Sequence, residues 1–200
     1  MYKRIFLIAA IAVLSACASQ KPRPPAHTAP VPPPTSQQTP PATIEVSGSE
    51  QRIIQATNAF RAENKLAPLK PKVQLIITAQ NHARNMARQD KFGDTDKNGH
   101  VLDGHGFDYR IQVSGYPFER VAENVGYQLR HQDAVGDMMT DWKKSPGHRR
   151  NMLIPELTEI GTGAAQGKSG RWYFVQVFGR PLPAKQTQLD EVFVVAQQRH

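Results

Sequence analysis

The stretch EIGTGAAQGKSGRWYFVQVF, from Glu159 to Phe178, decides the fold class. Two runs, Glu159 to Ala165 and Arg171 to Phe178, alternate as strands do, and the second is dense in Trp, Tyr, Phe and Val. The five residues between them, Gln166 to Gly170, carry Gly, Lys and Ser and no large apolar side chain. A β-rich pair around such a turn is predicted to be an antiparallel hairpin. Its alternation leaves at least one face of a small sheet to be covered.

The covering material lies upstream. Around Ser47-Gly48-Ser49 a cap candidate precedes Glu50 and then Ile53, Ile54, Ala56, Thr57, Phe60 and Asn64 at helical spacing, which predicts a first helix ending before Pro68. A second helix is predicted from Val73 to Gln89, with Leu75, Ala79, His82, Ala83, Met86 and Ala87 on one stripe. Between Lys91 and Gly106 the periodicity gives way to Gly, Asp and Asn, which reads as a loop of about fifteen residues, a length at which loops are often functional. A short helix over Phe107 to Val113 stops at Ser114-Gly115-Tyr116-Pro117. Another is predicted from Gln132 to Trp142, and Pro146 restarts a turn that runs to Leu153. Helices flanking a small antiparallel sheet give an α+β domain from residue 48 to 182 with one core, followed by a tail, 183–200, whose Val192 to Val195 is a candidate strand.

The N-terminus has a different job. Lys3 and Arg4 precede an apolar run from Ile5 to Leu14, then Ser15 and Ala16 stand before Cys17. This is the pattern of a signal peptide, residues 1–16. Its apolar run is roughly half of what a helix needs to cross the ~30 Å hydrocarbon core, so it is not read as a permanent span. Leu14-Ser15-Ala16-Cys17 resembles the bacterial lipobox, in which the Cys is acylated and becomes the mature N-terminus. Cys17 is the only cysteine of the chain, so an anchor uses the sole thiol and no disulfide is available. Several acyl chains at ~0.8 kcal/mol per buried CH₂ make such an attachment effectively permanent. From Lys21 to Pro41 the chain holds nine prolines and a single apolar residue larger than Ala, Val31. Residues 17–47 therefore read as a polyproline-rich stalk beneath the domain. The pattern around Cys17 predicts a cell-envelope location, at the outer membrane facing the periplasm in a Gram-negative cell.

Net charge is +8 for the whole chain, but the leader and stalk hold four of those cations, Lys3, Arg4, Lys21 and Arg23. The domain is only mildly basic and has no Lys/Arg run interleaved with aromatics, so nucleic acid is excluded as the expected partner. Anionic wall material and lipid head groups are compatible with this charge.

Several short motifs in order resemble one family. They are Asn58-Ala59-Phe60-Arg61 with Leu69, Ala83 with Met86-Ala87, and His100 before Asp103-Gly104 and Arg110. They continue with Gly115-Tyr116, Ala122-Glu123-Asn124-Val125, Trp142-Lys143-Lys144-Ser145-Pro146-Gly147-His148-Arg149, Asn151-Met152-Leu153 and Gly161-Thr162-Gly163. Over residues 50 to 180 the chain is similar to the CAP superfamily, also called the SCP domain, of cysteine-rich secretory, antigen 5 and pathogenesis-related proteins. The resemblance implies a three-layer α-β-α sandwich with a cleft lined by two His and acidic residues, which in some members hold a divalent metal. Carried over by motif, His148 is the second His, Glu123 the first acidic residue and His100 the first His. A slipped loop puts His105 in the first position instead, and a register matching Phe92-Gly93-Asp94 puts Asp94 there. The place of the second acidic residue is taken by Ser145.

Two imidazoles and a carboxylate are the ligands of a catalytic zinc site whose fourth position is water, so zinc or another divalent cation on His100 and His148 is the metal expectation. The same residues also have ordinary readings: His148 as a structural His at a helix start, Glu123 as a helix cap. Ser145 before Pro146 reads as an N-cap rather than a nucleophile. His82, on an apolar stripe, reads as a core histidine. Asp94-Thr95-Asp96-Lys97-Asn98-Gly99 matches the opening of a calcium loop at Asp94, Asp96 and Asn98, but its twelfth position is His105 instead of Glu, and a polar turn explains the same residues. The leading expectation is a lipid-anchored binding module for lipid or peptidoglycan. The alternatives are a metal-assisted hydrolase of peptide or wall substrates, with Glu123 as general base, and a structural envelope protein.

Overall fold

The computed structural model describes residues 44–95, 98–129 and 132–183. Residues 17–43 of the stalk, with Cys17, and Asp96 and Val192 to Val195 lie outside the described residues. The elements are α1 (Gly48–Glu63), β1 (Lys70–Pro71), α2 (Val73–Gln89), α3 (Phe107–Val113), β2 (Phe118–Gln128), α4 (Ala134–Lys144), α5 (Pro146–Met152), β3 (Glu159–Gln166) and β4 (Trp172–Pro181).

Helix α1 starts where its sequence signals it. The Ser47 hydroxyl accepts from the Glu50 amide at 3.3 Å, and the Glu50 carboxylate accepts from the Ser47 amide at 2.8 Å, a reciprocal capping box. Glu50 is buried and also accepts from Gln80 Nε2 at 3.0 Å and the Ala164 amide at 3.2 Å, so the cap ties α1 to α2 and β3. Helix α4 begins at Ala134 because the Asp133 side chain accepts from the Gly136 amide. Ser145 ends α4 and occupies the N-cap position of α5 with Pro146 following, yet its side chain makes no capping hydrogen bond.

The predicted hairpin is β3–β4, antiparallel from Glu159↔Gly179 to Gln166↔Trp172. It forms the middle of a four-stranded sheet of order β1-β3-β4-β2. Strand β1 pairs parallel to β3, and β2 pairs antiparallel to β4 along the edge. Strand β2 was not anticipated: Glu123-Asn124 and Gly126 interrupt its apolar pattern, and the reading of Glu123 as a helix cap is corrected by its place in mid-strand.

The single core expected from composition is in fact divided by the sheet. Ile53, Phe60, Trp142, Met152, Phe174 and Phe178 pack between the sheet and α1, α4 and α5. Leu75, Ala83, Met86, Ile111, Tyr173, Val175 and Val177 pack on the opposite face. Alternation along β4 sends Phe174 and Phe178 one way and Tyr173, Val175 and Val177 the other, which makes three layers necessary. Helix α2 lies directly on β3: a Cβ built on Gly161 would meet the Leu75 carbonyl carbon at 2.0 Å, and one on Gly163 the Ala79 oxygen at 2.3 Å. The pair Gly161 and Gly163 thus sets the distance between two layers.

Candidate functional site

Glu123 stands in the middle of edge strand β2, sharing a strand face with Val121 and Val125. Its side chain is 1% exposed. Arg110, from α3, meets it: Nη2 donates to Oε1 at 2.6 Å and to Oε2 at 2.7 Å. The same guanidinium donates through Nη1 to the carbonyls of His100 at 3.0 Å and His105 at 3.2 Å. Arg110 therefore neutralises a buried carboxylate and fastens the preceding loop to the sheet in one step.

His100 is carried on that loop, with its Nδ1 at 3.2 Å from Glu123 Oε1 and its side chain 41% exposed. With Nδ1 donating to the carboxylate, Nε2 is left for an outside partner. The residue before it is pinned from the other side: His82 of α2 is buried, and its Nε2 donates to the Gly99 carbonyl at 2.6 Å. Burial first, and then the positive charge of Arg110, holds His82 below the usual histidine pKa, so it is a neutral donor. The core reading of His82 fits this placement, with the addition that it positions the loop.

His148 reaches the same region from the other layer. It lies in the first turn of α5, half-buried, with its ring centroid 6.3 Å from that of Trp142. Desolvation, and next the charge on His100, push its pKa down. Because β2 is an edge strand, groups from both helical layers can meet around it. Asn151 Nδ2 donates to the Glu123 carbonyl and to Asn124 Oδ1, both at 3.0 Å. Asn124 Nδ2 in turn donates to the His148 carbonyl at 3.1 Å and to Gln176 Oε1 at 2.9 Å. An amide network thus ties α5, with His148, to the edge strand at Glu123-Asn124.

The other candidates for the first cleft position are elsewhere. His105 is exposed and stacks on Tyr109, centroids 4.1 Å apart; what it shares with the cluster is its carbonyl, which accepts from Arg110. Asp94 accepts from the amides of Asp103 at 2.9 Å and Gly104 at 3.0 Å, closing a turn in which both residues have positive φ. Those amides, Gly104 first, hold its carboxyl below the usual range. Asn98 Oδ1 accepts from the His100 amide at 3.0 Å. Asp94 and Asn98 are thus engaged in local turns, which is the polar-loop reading of the calcium-like motif.

The donor set determines what a metal would find. Among the described residues no group of three or more His, Cys, Asp or Glu is arranged to hold an ion. Both oxygens of Glu123 face Arg110, so the His100, Glu123, His148 trio does not form a three-ligand cage as it stands. What it offers is two imidazoles with a carboxylate behind one of them. Arg110, Asn124 and Asn151 were missed as functional residues by sequence reasoning; the only signal was that each stands inside a motif of the resemblance.

Comparison with known proteins agrees with the α+β fold. The family profile described as CAP, cysteine-rich secretory protein family, matches residues 54–178. The chain belongs to that family. It is 27% identical over 140 residues to YkwD of Bacillus subtilis, covering 70% of this chain and 50% of that protein. It is also 27% identical over 131 residues to the membrane protein YlbC of the same organism, covering 65% and 34%. The chain thus spans half or less of the length of these relatives. Among solved structures, an extracellular SCP-domain protein from Bacillus anthracis superposes with TM-score 0.55 at 28% identity, over 66% of this chain and 40% of that one. An outer surface protein of Borrelia burgdorferi gives TM-score 0.58 at 17% identity, over 70% and 97%. The latter is a likeness of fold.

Proposed function

We propose that this chain is a lipid-anchored envelope protein, acylated on Cys17, whose CAP domain binds wall or lipid material in a cleft formed by His100, Glu123 and His148. The observation that carries the reading is a carboxylate only 1% exposed and matched by Arg110, set beneath imidazoles that come from opposite layers. A buried charge pair of this kind is costly for stability alone and serves to hold a neighbouring group in register. Here that group is His100. Its outward Nε2 and the His148 ring are suited to hydrogen-bond a hydroxyl- or amide-rich ligand, or to share a divalent cation with Glu123 as the outer partner. The secreted or surface location of SCP-fold proteins in Bacillus anthracis and Borrelia burgdorferi agrees with an envelope role.

One observation favours the hydrolase as a second reading. A carboxylate on Nδ1 makes the opposite nitrogen of an imidazole a better base, as in acyl-transfer triads. In that version His100 is the base and Glu123 orients it, instead of Glu123 acting directly.

The test uses the full chain carrying Cys17→Ser, with His100→Ala and His148→Ala variants, retained on purified peptidoglycan sacculi and titrated with zinc by calorimetry. Retention lost in both variants, with melting temperature unchanged, is the expected result. Release of soluble wall fragments would move the assignment to the hydrolase. Retention and zinc response indifferent to every cleft substitution would leave the domain a structural part of the envelope and overturn the binding reading.

A further inference from the structure

A small hollow opens where α1, α4 and β4 begin, and it has no residue in common with the His/Glu cleft. Its volume is about 130 Å³, and its walls include Ser49, Arg52, Gln132, Asp133, Trp172 and Phe174. Trp172 is the first residue of β4, paired with Gln128 and Gln166 at the ends of the neighbouring strands. It shares a strand face with Phe174, the two rings 6.0 Å apart between centroids and 12° from parallel. Phe174 is fully buried and Trp172 only half-buried, so the indole is the exposed end of an aromatic row.

The rest of the lining is polar. Arg52 Nη2 donates to Asp133 Oδ1 at 2.7 Å, and both side chains are 55% exposed. An ion pair so exposed adds little to stability. Its effect is to fix two planar groups side by side. The same Oδ1 accepts from the Gly136 amide at 3.1 Å, so the start of α4 holds the carboxylate in place. Asp133 Oδ2 and Arg52 Nη1 and Nε are left without a protein partner among the described residues. The hydroxyl of Ser49 and the amide of Gln132 complete the polar side.

We infer that this hollow is a binding site for a neutral sugar ring of a glycan. The C–H face of a pyranose is apolar and slightly positive, which suits the negative face of an indole. Each ring hydroxyl both donates and accepts, which suits a carboxylate oxygen and guanidinium donors fixed next to one another. The lining holds one cation and one anion, already paired, so charge selects a neutral ligand over an anionic one. An apolar wall with a few converging polar groups is the form a small-molecule site takes. The site is independent of the His/Glu cleft and of the ligand proposed there.

The experiment titrates the full chain carrying Cys17→Ser with chitotetraose and, separately, with cellotetraose. The chain has two tryptophans, and Trp142 is fully buried, so iodide quenching of fluorescence reports Trp172. Bound sugar is expected to shield that fluorescence from iodide, with amide NMR shifts centred on 49–52, 132–136 and 172–174. A preference for chitotetraose supports the site with the N-acetylhexosamine of wall glycan as its ligand; a preference for cellotetraose supports it with a plain hexose polymer. Trp172→Ala and Asp133→Asn should each weaken binding roughly fivefold or more, and His148→Ala should leave it unchanged. Asn is as good a helix cap as Asp, so Asp133→Asn tests the site even if Trp172→Ala fails to fold, which melting curves check. The proposal is overturned by no binding of either sugar at millimolar concentration, by shifts centred on 100–123, or by affinity indifferent to both substitutions. Tighter binding of polygalacturonate than of either neutral sugar would also overturn it, by showing selection for negative charge.

Discussion

Arg110 carries more of the site than any residue whose chemistry is visible in the sequence. Removing its guanidinium leaves Glu123 buried without its cation, a situation that costs about 3–5 kcal/mol. Arg110→Leu is therefore expected to lower stability by about that amount in urea denaturation, and adding Glu123→Gln to restore a large part of it, because the uncompensated charge is gone. Arg110→Lys should rescue poorly, since the three donors of an ammonium sit on one nitrogen and cannot reproduce four bonds made from two separate guanidinium nitrogens. The histidines fix a pH dependence. His82 and His148 are held below the ordinary histidine value near 6.5, so the unfolded chain binds more protons as pH falls through that value. Stability is full above about pH 6.5 and declines on acidification towards pH 5, well above the range where carboxylates titrate. His82→Gln retains a donor for the Gly99 carbonyl and should flatten this decline, read as the change in urea midpoint between pH 7 and pH 5.

Elements show where local pattern is sufficient and where it is not. Helices α1 and α2 are legible because each buries one stripe and exposes much of the rest; of the residues predicted to face inward on α2, Leu75, Ala79, His82, Ala83 and Met86 are buried and Ala87 is half-buried, while Ile76, Thr78 and Gln80 are buried as well. The β3–β4 hairpin is legible through its turn and its aromatic alternation. Strand β2 is not, because its centre is polar. Glu123 and Asn124 point to opposite faces and are each satisfied by groups distant in sequence, Arg110 for one and Gln176 and Asn151 for the other. Periodicity does not show which distant group makes the burial of each strand residue tolerable. The layer spacing gives a contrast of glycines. Gly161→Ala drives a methyl into the Leu75 backbone and should cost roughly 1–3 kcal/mol or more. Gly104→Ala, with open space around its Cβ, should cost about 1 kcal/mol from its positive φ alone. Thermal denaturation of the two variants separates the effects.

At the scale of the molecule, a cation with no acid partner among the described residues ties α1 to the end of α5 and to the segments that lead into β1 and β3. Arg61 is fully buried in α1 and donates to the carbonyls of Ala67, Met152, Ile154 and Leu157, from 2.8 to 3.4 Å. Arg61→Met fills much of the volume but leaves those oxygens without their donor, and a loss of about 2–4 kcal/mol is expected in denaturant titration. The anchor proposal makes a separate prediction: metabolic labelling with palmitate should mark the wild-type chain and be absent from Cys17→Ser. The sequence by itself determined the α+β class, the helix stripes, the hairpin and the family, because each rests on periodicity, turn chemistry or motifs that are local in the chain. It also named His100, Glu123 and His148, but it left His100, His105 and Asp94 as alternatives and gave Arg110 no role. Tertiary structure decided that His100 is the one beside Glu123, that β2 forms an edge of the sheet, and that Arg110 is the partner of the buried carboxylate. The physical reason is that a buried charge selects its partner by distance in space, and here the partner was brought thirteen residues back along the chain by the turn of a loop.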